Sequence, residues 1–154
     1  MEKMTTCLWF DHQAEEAANF YMNIFEDSKI TNIVRNAASS PAGAPGTVLT
    51  VAFTINGQSF LGLNGGPVYK FSPAVSLVVH CKTQQEVDYY WEKLGAGGQE
   101  VECGWLTDRF GFSWQVVPDI LATLLGGADR ERADRVMKAM LKMKKLDIAG
   151  LEGA

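Results

Sequence analysis

Histidine is scarce in this chain of 154 residues: His12 and His80 are the only two, and neither falls in register with a carboxylate partner that would complete a metal site. Cysteine is scarce as well. Cys7, Cys81 and Cys103 are odd in number and contain no CxxC pair, which argues against a disulfide framework or a zinc knuckle and leaves them as small buried hydrophobes. No apolar run approaches the roughly 18 residues that a membrane span needs. The opening Met1-Glu2-Lys3-Met4 lacks the charged-then-apolar pattern of a secretory signal, so a cytoplasmic location is expected. There is no excess of basic residues, since 14 Lys and Arg stand against 18 Asp and Glu for a net charge of -4. That balance argues against a nucleic-acid or anionic-lipid surface.

What is present is ordinary globular material, 47% hydrophobic and 21% charged, in a length that suits one domain made of two fused halves. Thr5 to Phe10 reads as a strand. Asp11 is then placed to cap a helix whose apolar residues Ala14, Ala17, Ala18, Tyr21 and Phe25 recur at three-to-four spacing. Lys29 to Arg35 is a β-branched strand, Asn36 to Gly46 a Pro/Gly/Ser-rich loop, and Thr47 to Ile55 a longer strand. Asn56-Gly57 predicts a type I′ hairpin into Ser59 to Leu63, because both central residues need positive φ.

The order then begins again. Val75 to Cys81 is an apolar strand, and Thr83-Gln84-Gln85-Glu86 is a capping box for a helix carrying Val87, Tyr90, Trp91 and Leu94. Glu100 to Leu106 and Phe112 to Val117 follow as strands joined by a turn at Asp108-Arg109-Phe110-Gly111, for which aspartate is suited. The halves match where Asn56-Gly57-Gln58-Ser59-Phe60-Leu61 and Phe110-Gly111-Phe112-Ser113-Trp114-Gln115 share glycine, serine and an aromatic at equal steps. The expected fold is therefore α+β: two βαβββ units, about 4–66 and 72–118, forming curved mixed sheets around a cavity.

A helical tail over 119–148 completes the chain. Pro118 to Leu125 reads as a short helix and Asp129 to Lys145 as a longer one, with Ala133, Val136, Met137, Met140 and Met143 or Leu146 on its apolar face. Packing against protein, rather than lying on a membrane surface, is the expected use of that face. Since sheet edges need covering, the stripe points to a homodimer in which a second copy buries it. Folding back on its own subunit is the alternative.

Several segments together carry a family resemblance. They are Leu8-Trp9-Phe10-Asp11 with Phe20-Tyr21 and Phe25, Leu63-Asn64-Gly65-Gly66-Pro67, Cys103 through Gly111 running into Ser113-Trp114-Gln115, and Met137-Lys138-Ala139-Met140. In these, over nearly its whole length, the chain resembles the PhnB-like branch of the vicinal-oxygen-chelate (glyoxalase/bleomycin-resistance) superfamily. Within that branch it is similar to the group labelled 3-demethylubiquinone-9 3-methyltransferase. The resemblance implies a metal held by one ligand in the first strand and one in the last strand of each half, positions that fall here on Thr6, Leu61, Ser76 and Gln115. Two hydroxyls, an amide and a leucine are no match for imidazoles and carboxylates, so neither metal nor other cofactor is expected.

What remains is a small-molecule pocket expected to contain Thr6, Leu61, Asn64, Ser76 and Gln115, with Trp9 and Trp105 placed to line it. Trp114 alternates with Gln115 and is expected on the opposite face, in the core. Cys103 has no histidine at readable spacing to activate it as a nucleophile. The only glycine cluster after a strand, Gly62-Leu63-Asn64-Gly65-Gly66, leads to Pro67 and not to a helix, and so lacks the cofactor-binding turn of a typical methyltransferase. A ligand-binding protein of unknown ligand is the leading expectation. A metal-independent enzyme, by methyl transfer or by lyase or isomerase chemistry, is the rival, and a structural or partner-binding module the third possibility.

Overall fold

The computed structural model describes residues 2–154. The chain divides into two compact units, one ending at Phe71 and the other beginning at Ser72. The first runs β1 (Thr6–Phe10), α1 (Ala14–Met22), β2 (Lys29–Arg35), β3 (Val48–Ile55) and β4 (Gln58–Asn64). Its four strands form one sheet in the order β1-β4-β3-β2, with β1 parallel to β4 and the other pairs antiparallel. Asn56 and Gly57 have φ of 49° and 79°, the positive values that the type I′ hairpin between β3 and β4 requires.

One face of this sheet is covered by α1, whose Ala14, Ala17, Ala18 and Tyr21 are wholly buried. Three alanines let the helix lie close to the strands. A Cβ added at Gly62 would stand 3.1 Å from that of Ala14, so a small residue is needed there. Against the helix lie Leu8, Phe10, Val51, Phe53, Ile55 and Phe60. Asp11 does not cap α1. The helix starts later, its N-cap residue Gln13 makes no side-chain cap, and the Ala14 N–H donates to Oδ1 of Asn64 at 2.9 Å. The cap is supplied from β4, fifty residues away, because that buried amide oxygen lies directly over the first turn.

The second unit repeats this plan with β5 (Ser76–Cys81), α2 (Gln84–Gly95), β6 (Gln99–Glu100), β7 (Trp105–Thr107) and β8 (Ser113–Pro118), in the order β5-β8-β7-β6. Thr83 caps α2 by accepting from the Glu86 N–H, and Val87, Trp91 and Leu94 face the sheet. The expected strand Glu100 to Leu106 is instead a hairpin. It turns back through Cys103 and Gly104, whose φ values are 61° and 82°. The strand count of the two units is thereby equal, as the βαβββ plan requires. The turn between β7 and β8 is fastened by Asp108, 2% exposed, which accepts from the N–H groups of Phe110 and Phe112 and from Nε1 of Trp114.

The tail is three helices, α3 (Ile120–Gly126), α4 (Arg130–Met140) and α5 (Ile148–Glu152). Leu121, Leu124, Val136, Leu146 and Leu151 form its own apolar cluster. Its long helix ends at Met140, not Lys145, because the chain turns there to hydrogen-bond the β6–β7 hairpin through the carbonyls of Met143 and Lys144. The stripe expected to need a second subunit is largely covered within the chain. Ala133 and Val136 are buried and Met140 packs on the cluster, while Met137 stays 39% exposed.

Two outcomes follow. Asp108→Ala removes the acceptor that three donors share, two of those bonds being buried, and a loss of about 2 to 4 kcal/mol is expected in urea unfolding; a loss under about 1 kcal/mol would show that the carboxylate does not hold the turn. Burial, reinforced by Glu86 and Asp119, pushes the Cys81 thiol up to about 12. A group with a raised folded pKa stabilises the native state below its unfolded pKa and loses that contribution as pH rises. Stability should therefore fall between about pH 9 and 12, less so in Cys81→Ala, and urea unfolding across that range checks it.

Candidate functional site

Strand pairing settles which residues share the face that each helix leaves open. In the first unit Leu8 pairs with Gly62 and Phe10 with Asn64, under α1, so Cys7 and Trp9 lie on the other face with Leu61 and Leu63. Thr6 pairs with Phe60, which belongs to the helix side, and so Thr6 and Leu61 project from opposite faces. The expected set is off by one residue at this strand. In the second unit Ser76 and Ser113 pair as Thr5 and Ser59 would, making Thr5 the counterpart of Ser76. The slip arises because the sheet register, unlike sequence spacing, fixes a period of two.

A cavity of about 330 Å3 opens on this face, lined by Thr5, Thr31, Ala52, Thr54, Ser59 and Leu61 among others. Its side chains offer hydroxyls and methyl groups, with Glu2 as the one charged residue. Trp9 also lies on this face but is committed locally. Its Nε1 donates to the Gly66 carbonyl at 2.9 Å, and its ring meets Tyr69 edge-on at 5.0 Å. It also covers Gly65 so closely that an added Cβ would sit 2.3 Å from the ring. The amides of Gly65 and Gly66 donate to the carbonyls of Phe10 and Asp11. The glycine cluster therefore fastens the segment after β4 to the end of β1.

Asn64 is likewise in structural use, its Oδ1 on the Ala14 N–H and its Nδ2 donating to the Val48 carbonyl. It also borders a second, solvent-open cavity of about 480 Å3, together with Asp11, His12, Glu15, Asn36 and Thr47. His12 Nδ1 lies 3.6 Å from Asp11 Oδ2, both well exposed. Asn36 is buried and satisfied by Thr47 and Ser40. Sequence pattern marks 36–46 as a loop, and the Asn36 side chain at its start closes it onto Thr47 and Ser40.

On the open face of the second sheet stand Ser76, Val78, Trp105, Thr107 and Gln115, because Gln115 pairs with both Val78 and Trp105. Here the expected residues do come together. Gln115 Nε2 donates to Ser76 Oγ at 3.0 Å, and Trp105 flanks Gln115 across the ladder. Trp114 points the other way and is 2% exposed. His80 shares the open face with Val117 and is exposed, 3.8 Å from Asp119. The half-buried part of this wall is neutral. One amide proton is spent on Ser76, while the amide oxygen and second proton of Gln115 can meet a polar ligand.

A divalent cation fits neither face. Leu61 offers no donor, Ser76 and Gln115 already bond each other, and Glu2 on the first face and His80 with Asp119 on the second add too few ligands to complete a site. Among the described residues no group of three or more His, Cys, Asp or Glu is gathered to hold a metal.

The chain matches the family model described as 3-demethylubiquinone-9 3-methyltransferase over residues 2–117. No curated protein matches it. A putative 3-demethylubiquinone-9 3-methyltransferase, PhnB protein, from Bacillus cereus is 37% identical, with a TM-score of 0.68 over 76% of this chain and 99% of that one. The fosfomycin resistance protein FosX from Listeria monocytogenes, in its monoclinic form, is 16% identical with a TM-score of 0.57, over 79% of this chain and 94% of its own. FosX complexed with Mn(II) and sulfate is 17% identical with a TM-score of 0.54, over 75% and 92%. The FosX likeness is one of fold alone. With two repeated four-stranded mixed sheets and a family match that runs through both units, the chain belongs to the 3-demethylubiquinone-9 3-methyltransferase family, in the PhnB-like branch of the vicinal-oxygen-chelate superfamily.

Proposed function

We propose that this chain is a small-molecule-binding protein that holds a neutral, polar ligand on open sheet faces through hydroxyl and amide groups, without the superfamily's metal. The observation that carries the reading is the Ser76–Gln115 hydrogen bond, which joins two positions that the family resemblance implies as ligands into a neutral pair beside Trp105. Such a pair can orient a hydroxyl or carbonyl, and the indole adds an apolar surface. Binding is favoured over turnover by the lack of an activated group. The residues that flank the pair, Val78, Trp105 and Thr107, bring no carboxylate or thiol to it, and the Cys81 thiol, with its pKa pushed up to about 12, is a poor nucleophile.

A thermal-shift screen of small polyols, amides and hydroxylated aromatics, run in EDTA and again with Mn(II), tests this. A stabilising compound should raise Tm equally in both conditions. Gln115→Ala should weaken its binding about tenfold, the worth of one hydrogen bond at about 1.4 kcal/mol. Stabilisation that requires Mn(II) and survives Gln115→Ala would overturn the reading.

The chain is also proposed to act as a homodimer, supported by its sheet edges and not by its tail. β5 is an edge strand, Val75 just before it is 62% exposed, and Val78 within it is 42% exposed. An edge strand with exposed valines favours closed two-fold pairing. Light scattering at micromolar concentration should give twice the 16.9 kDa of one chain, falling to a single chain in Val78→Lys. A single-chain mass for the unaltered protein would refute it.

A further inference from the structure

The family model ends at residue 117, and the Bacillus cereus structure, matched over 99% of its length, accounts for 76% of this chain. The tail, with the Met137-Lys138-Ala139-Met140 segment counted above in the resemblance, thus lies outside the residues that the family model matches, and one part of it is built into the second unit. From beyond α4 to the first residue of α5, residues 143–148 run across the β6–β7 hairpin. The amides of Cys103 and Gly104 donate to the carbonyls of Met143 and Lys144 at 2.8 and 2.7 Å. Wholly buried Leu146 packs on the bare Cα of Gly104, where an added Cβ would stand 2.9 Å from its Cδ1. Gln84, at the start of α2, clasps the same residues. Its Nε2 donates to the Leu146 carbonyl and its Oε1 accepts from the Ile148 N–H. Lys145 and Asp88 add an ion pair at 2.9 Å.

What the segment grips is not neutral ground. Cys103 holds φ of 61°, a left-handed conformation that a non-glycine residue keeps only where its surroundings impose it. The next residue but one is Trp105. The Gly104 carbonyl accepts from the Val116 N–H, and Trp105 pairs with Gln115, which bonds Ser76. A continuous path of hydrogen bonds and strand pairing leads from the tail to the polar pair.

We infer that the C-terminal extension is a strap: residues 143–148 hold the Cys103–Gly104 turn in its strained form and thereby fix Trp105 and Gln115 on the open face of the second sheet. The inference rests on the proposed use of that face as the binding surface, and the strap's action is readable without any ligand. Amide hydrogen exchange of the full chain is compared with that of Gln84→Ala, which loses both clasping bonds. In the unaltered protein the Cys103, Gly104 and Val116 amides should be protected. In Gln84→Ala all three should exchange at least tenfold faster, while the Leu8 to Phe10 amides of the first unit keep their rates. Leu146→Ala, which removes the packing and not the clasp, should do the same if it folds.

A second readout is alkylation by iodoacetamide in a Cys7→Ser background, where Cys81 stays buried and Cys103 is the reporter. Its modification should quicken by a similar factor in Gln84→Ala. Release of Cys103 and Gly104 with Val116 unmoved would overturn the coupling, as would fast exchange of these amides in the unaltered protein. Failure of every compound in the ligand screen leaves this outcome standing or falling by itself, so the strap and the binding reading fail separately.

Discussion

In each unit the first strand lies parallel to the last, and one helix covers one face of the resulting four-stranded sheet. That pairing is the constraint on which the rest depends. A strand shows alternate side chains to opposite faces, so the register of β1 on β4 and of β5 on β8 sorts every residue into core or open surface at one stroke. The covered faces take the aromatic and branched side chains, with Tyr21 and Trp114 among the largest that are fully buried. The open faces carry threonine, serine, valine and glutamine together with Trp9, Leu61, Trp105 and His80, and the ligand chemistry available there is what these types can supply.

Polar groups that the core does bury are fully employed. Asn64 caps a helix and receives a strand end, Asp108 gathers three donors around a tight turn, and Asn36 closes the loop before β3. Among the described residues no buried side-chain nitrogen or oxygen is left without a partner. In a protein of this size such groups act as pins: each would cost free energy if unpaired, so each admits one arrangement of the chain around it. The same economy explains the Gly65-Gly66 step, where space for the Trp9 ring and two amides aimed at the end of β1 account for both glycines.

The tail relates to this plan differently in its two parts. Its apolar cluster is built chiefly from its own helices, whereas the segment between α4 and α5 is tied to the second unit by backbone hydrogen bonds and the Gln84 clasp. An amphipathic stripe records only that a face must be covered. Whether another helix of the same chain or another chain covers it depends on where the preceding residues leave the helix, and here α3 and α5 lie within reach of Ala133 and Val136.

The sequence by itself determined the repeat, the order of strand and helix in both halves, the Asn56-Gly57 hairpin, the capped start of α2, and the opposition of Trp114 to Gln115. All of these follow from periodicity or from residues whose local geometry is nearly forced. It also determined which residue types stand at Thr6, Leu61, Ser76 and Gln115, the positions that the resemblance implies as ligands. Only the tertiary structure decided that Thr6 lies on the covered face, that Asn64 rather than Asp11 caps α1, that Glu100 to Leu106 doubles back as a hairpin, and that the long tail helix stops at Met140. Each of these rests on a partner distant in sequence. Register, borrowed caps and competing hydrogen bonds exist only once the strands are paired, and local pattern carries no record of them.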